Sequence, residues 1–156
     1  MSVDLPELFE RATAGKQLDR ERIFRPSWFY SIIEDPFWIW CEYYAPPEAR
    51  VDETTAYQQY LMQQGNEWED RYVASQFPKA YVIQSRWGEE ALRETLSAML
   101  RGEDAISGGA LWLLAEEVYG KADVLVRCDD QPSDLGDFYY RVKEIKNSKE
   151  VKPYHQ

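Results

Sequence analysis

The chain has 156 residues, 44% of them hydrophobic and 15% aromatic, enough to bury the core of one domain and too apolar for a disordered tail. Eighteen basic residues against 28 acidic ones leave a net charge of −10, which opposes loose, sequence-independent attachment to nucleic acid. No run approaches the roughly 20 apolar residues of a membrane helix, and MSVDLPELFERATAG lacks the basic-then-apolar layout of a signal peptide, so a cytoplasmic protein is expected.

Residues 1–24 are charged and mixed, with one short amphipathic run at Leu5, Leu8, Phe9 and Ala12, and read as a peripheral helix plus linker. Residues 25–156 are expected to form the domain proper. Its first part, Arg25 to Arg50, is dense in aromatic residues, and core packing is expected to bury most of the rings, against the alternative of a base-stacking platform. Ser27 is placed to cap a short helix from Trp28 to Glu34, and Pro46-Pro47 stops whatever precedes it.

Asp52 or Thr54 can cap a long helix running to about Ala74, in which Leu61, Gly65, Glu69 and Tyr72 share a stripe. That stripe turns Glu69 toward an apolar edge rather than toward water. Tyr81 to Gln84 reads as a short strand. A second helix from Gly88 to Arg101 carries Leu92, Thr95, Leu96, Met99 and Leu100 on one face, the pattern of core packing. Ala105 to Ala115 reads as a strand in which Gly108-Gly109 marks a bulge or a close approach.

Two further strands follow, GKADVLVR (Gly120 to Arg127) and FYYRVKEIK (Phe138 to Lys146), joined by the turn-rich DDQPSDLGD. Side chains alternate faces along a strand, so Glu144 and Lys146 point the same way, and an antiparallel neighbour can bring Asp123 beside them. Two carboxylates and an ammonium on one face suit a hard divalent cation and an activated water, the requirements of phosphodiester hydrolysis. In that reading Asp123 and Glu144 hold Mg²⁺ or Mn²⁺, the Ile145 carbonyl adds an oxygen, Lys146 positions or deprotonates the water, and Glu69 offers a further carboxylate. The plain alternative for Glu144 and Lys146 is a surface ion pair, and for Asp123 an ordinary strand residue. A second acid-x-lysine match, Glu150-Val151-Lys152, lies in a polar segment ending at Pro153 and lacks the paired strand. The two cysteines, Cys41 and Cys128, are too few for a disulfide framework or for an iron–sulfur cluster held by this chain alone.

At these residues the chain resembles the PD-(D/E)XK nuclease superfamily, and within it the RecB-like nucleases, over about residue 25 to the last residue. The glycine-x-x-aspartate motif is similar to Gly120-Lys121-Ala122-Asp123, and the acid-x-lysine motif to Glu144-Ile145-Lys146. The helix motif, glycine then histidine-glutamate, is similar to Gly65-Asn66-Glu67-Trp68-Glu69, with Trp68 where many members carry a metal-binding histidine. The opening resembles Pro26-Ser27-Trp28 followed by Asp35-Pro36-Phe37-Trp38, with Asp35 where a cluster cysteine stands, so no iron–sulfur cluster is implied.

The resemblance implies a restriction-endonuclease-like α/β core, a mixed β-sheet flanked by helices, and a deoxyribonuclease acting in DNA repair, recombination or defence with DNA as its partner. It also implies that Gln156 is the substrate-binding glutamine of the last motif, that His155 belongs to the beginning of its helix, and that the rest of that helix is missing, the expectation being a truncated chain, a fragment, or a minimal variant completed by a further domain or subunit. Trp68, the acidic charge and the missing helix motivate the competing expectation of a nuclease-like module that binds or assembles without catalysis.

Overall fold

A computed structural model of the chain describes residues 3–19, 23–49 and 54–146. Asp4 opens α1 (Leu5–Thr13) by accepting the Glu7 N–H at 2.9 Å, with Pro6 in the first turn. A single turn at Pro26–Trp28 leads into α2 (Phe29–Glu34), and α3 (Pro36–Tyr44) follows after one residue. Then come α4 (Ala56–Gln76), β1 (Tyr81–Val82), α5 (Glu89–Leu100), β2 (Ala105–Ser107), β3 (Ala110–Leu113), β4 (Val118–Lys121), β5 (Val124–Cys128) and β6 (Tyr139–Lys143).

Several local choices differ from the sequence reading. Ser27 makes no cap hydrogen bond; it lies inside the Pro26–Trp28 turn. The long helix is capped by Thr55 rather than Asp52 or Thr54, because only Thr55 has a glutamine three residues on to close a reciprocal capping box with Gln58. Asp35 caps a helix that the reading did not separate, accepting the Phe37 N–H at 3.1 Å with Pro36 in the first turn.

The sheet is mixed, in the order β1-β2-β5-β6, with β1 parallel to β2 and the other neighbours antiparallel. β3 and β4 pair separately, yet they belong to one long hairpin. The register Ser107↔Val124 on one side and Ala110↔Lys121 on the other is the same, and two backbone bonds bridge the gap: Gly108 N–H to Asp123 O at 3.0 Å and Ala122 N–H to Gly109 O at 2.8 Å. The close approach expected at Gly108-Gly109 is real. A Cβ on Gly109 would stand 2.7 Å from Leu125 Cδ1 and 3.3 Å from Thr95 Cγ2. Thr95, fully buried on α5, locks the junction by donating to Ala91 O at 2.7 Å and accepting the Ala110 N–H at 2.9 Å.

Two apolar clusters meet around α5. Leu92 and Leu96 pack with Ile23, Trp112, Leu114 and Tyr119, and Ala98 packs with Ile106, Ala122 and Leu125. Residues 1–24, expected at the periphery, lay Leu5, Leu8, Phe9 and Ala12 of α1 on the first cluster and contribute Ile23 to it. The chain is thus a mixed α/β domain, a mixed sheet flanked by helices. Among the described residues no helix is long and apolar enough to cross a membrane.

The aromatic block is where expectation fails. Phe29, Phe37, Trp40 and Tyr44 are exposed rather than buried. Helices of six and nine residues joined by a single residue pack mainly on each other and offer too little surface to cover so many rings. The rings instead touch one another: Phe37 stacks on Trp40 at 5.5 Å, Trp40 meets Tyr44 at 5.6 Å, and Trp28 meets both Trp38 and Tyr43 edge-on at 5.8 Å.

Candidate active site

The pairing of β5 with β6 sets the geometry. Val124 stands opposite Lys143 in the last pair of the ladder, and the same register, continued one residue past both strands, sets Asp123 opposite Glu144. Directly opposed residues of an antiparallel pair share a face, so the expected juxtaposition of the two carboxylates follows from strand register, and both line the same cleft. The Asp123 carboxylate also holds the end of β6: its Oδ2 accepts the Ile145 N–H at 2.5 Å. Because Asp123 is half-buried and its carbonyl accepts from Gly108, this residue joins the hairpin hinge to the acid-x-lysine segment.

Lys146 Nζ lies 2.5 Å from Glu144 Oε1, and both side chains are exposed. The ion pair that the sequence offered as the plain alternative is therefore present, beside Asp123. Ile145 meets Asp123 through its N–H, which orients the backbone on which its carbonyl is carried.

Glu69 reaches this group from α4 and is half-buried. Burial raises its pKa above the ordinary glutamate value; the Asp123 carboxylate pushes the same way, while Lys121 and Lys146 pull against it. Glu69 is thus within electrostatic reach of Asp123, although it lines neither of the two clefts that open on the group and Leu61 of the same helix stripe is exposed. The fit to a cation is partial. The donors are hard oxygens with mutually repelling charge, as a divalent ion requires, yet among the described residues no group of three or more His, Cys, Asp or Glu is gathered closely enough to hold one. Gln156, the expected substrate-binding glutamine, and Glu150-Val151-Lys152 lie outside the described residues. Trp68 is exposed.

Two clefts open on the group. One, of about 390 Å³, has apolar walls from Leu111, Leu113, Val118 and Val142, with Asp123, Glu144 and Lys121 along it. The other, of about 890 Å³, is lined by Arg25, Lys121, Lys146 and Glu144, with Phe29 and Trp87 as aromatic surfaces. Three cations thus gather beside the carboxylates of a chain that is strongly acidic overall. Sequence reasoning missed Arg25 and Lys121 as members of the site. For Lys121 a signal existed, since it lies two residues before Asp123 and so shares its face in an extended run; Arg25 had none, because its place depends on the packing of the Pro26–Trp28 turn against β4. No family model, no curated protein and no solved structure matches the chain.

Proposed function

We propose that the chain is a metal-dependent nuclease of the PD-(D/E)XK type, RecB-like, hydrolysing DNA phosphodiester bonds on a restriction-endonuclease-like core. The observation that carries this reading is the juxtaposition of Asp123 and Glu144 on one cleft, one residue past the last β5–β6 pair, with Lys146 paired to Glu144. Supporting it is the order of elements, a core helix α5 followed by the long β2–β5 hairpin and β6, with the aspartate at the hairpin hinge just before β5 and Glu144-Ile145-Lys146 directly after β6 ends at Lys143.

Asp123, Glu144 and the Ile145 carbonyl would hold Mg²⁺ or Mn²⁺, with Glu69 as a further carboxylate. A bound dication supplies Lewis acidity at the phosphate and lowers the pKa of a water. The chain's own residues do the rest. Arg25 and Lys121 bind the phosphate backbone in the larger cleft, and Lys146, once released from its ion pair with Glu144 and deprotonated by solvent to the neutral amine, orients the attacking water and takes up its proton. Phe29 and Trp87 offer faces to the bases.

The test is cleavage of single- and double-stranded DNA in Mn²⁺ or Mg²⁺. Wild type should cut, Asp123→Asn should lose activity by about a hundredfold or more, and Lys146→Ala by a similar factor, with both variants folded. Undiminished cutting by both variants overturns the assignment. A second reading, a nuclease-like module that binds or assembles without catalysis, is favoured by the lack of a three-ligand group among the described residues; it predicts no cutting by any form and no requirement for metal.

A further inference from the structure

The aromatic face of α3 is a feature that the nuclease reading leaves without a role. Phe37, Trp40 and Tyr44 fall at spacings of three and four, one stripe of the helix, and are 63%, 52% and 70% exposed. Their rings touch in sequence, so the stripe is continuous and about 10 Å long. Exposed apolar surface of this kind on a small domain marks an interaction site.

The charge around it selects the occupant. Residues 26–49 contain Glu34, Asp35, Glu42 and Glu48 and not one lysine or arginine. Glu42 lies on the opposite side of α3 from the stripe, but Glu34 and Asp35 precede it and Glu48 follows it, so two copies meeting through this face would bring like charges together, and a nucleic acid would bring its phosphates to the same acids. A segment carrying apolar anchors flanked by lysine and arginine meets neither penalty. A short stripe of rings at helical spacing is also the shape that receives one amphipathic helix. We propose that the aromatic face of α3 docks a basic amphipathic helix of a partner protein. This inference does not rest on the nuclease reading.

The experiment uses labelled peptides of about 18 residues, five helical turns, titrated into the full chain and followed by anisotropy. One carries a leucine face flanked by lysines, a second has glutamate in place of lysine, and a third has the lysines but serine in place of leucine. The paired substitution Phe37→Ala, Trp40→Ala keeps the net charge and should weaken the leucine–lysine peptide by at least about tenfold, the loss expected for two aromatic anchors, while leaving the serine–lysine peptide unchanged. The leucine–glutamate peptide should bind at least about tenfold more weakly than its basic counterpart. Equal binding of the leucine–lysine peptide by wild type and variant overturns the proposal. So does a wild-type dimer in sedimentation that the variant dissociates, or a single-stranded oligonucleotide whose binding the variant abolishes. If the paired variant proves unfolded by circular dichroism, Glu34→Lys with Glu48→Lys takes its place and must produce the same tenfold loss; no loss there also overturns the proposal.

Discussion

Asp123 has a structural task whether or not an ion is bound. Its carboxylate anchors the Ile145 N–H and its carbonyl closes the hairpin hinge, so Asn, which keeps an acceptor oxygen, is a cleaner probe than Ala. Glu69 is the residue under electrostatic strain, its pKa raised by burial first and by Asp123 second. A raised carboxyl pKa means that stability linked to this group is present at acid pH and is lost as pH rises through the folded value. Glu69→Gln should therefore raise the metal-free Tm at pH 7 by about 1–3 °C and leave it nearly unchanged at about pH 3, where the carboxyl is protonated in both states; thermal melts at the two pH values check this. The cleft shared by Asp123 and Glu144 was legible because strand pairing and strand alternation follow local rules. Lys121 obeyed the same rule and went unread, since an acid-x-lysine pattern directs attention to Lys146. Neither rule reaches the contact that brings Arg25 to the cleft.

The elements follow local signals where caps and close approaches decide, and depart from them where tertiary area decides. Gly108-Gly109 announced a close approach, and the structure supplies its reason: the α5 surface at Thr95 and the Leu125 side chain leave no room for a Cβ at Gly109. Gly109→Ala should cost about 1–3 kcal/mol, the usual penalty for overpacking a buried contact, read as a lowered urea midpoint with unchanged slope. A midpoint equal to wild type would mean that the hinge has slack. The caps Asp35 and Thr55 were each visible in principle, as Asp-Pro and as Thr-x-x-Gln; Thr55 was passed over for Asp52 or Thr54, and Asp35 because its helix was not separated from the one before it. The aromatic block was misread because hydrophobic content reports what a segment would gain by burial, and says nothing of whether a neighbour exists to provide it. On α4 the same holds for Tyr57, Tyr60 and Leu61, which remain exposed.

For the molecule as a whole the tension lies between a net charge of −10 and a phosphate-bearing substrate. The fold answers part of it by gathering Arg25, Lys121 and Lys146 on one cleft, and a dication between Asp123 and Glu144 would answer more, turning the most acidic corner of the site toward positive potential. Composition made a single cored domain legible but averaged the charge over the surface, so it could not show that the cations collect at one place. The account stands on the ability of that place to hold a divalent ion. Calorimetric titration with Mn²⁺ tests it most directly: the account predicts about one ion per chain in wild type and in Lys146→Ala, with affinity reduced at least about tenfold by Asp123→Asn and by Glu144→Gln. No saturable heat in wild type, or identical isotherms for wild type and Asp123→Asn, would contradict it.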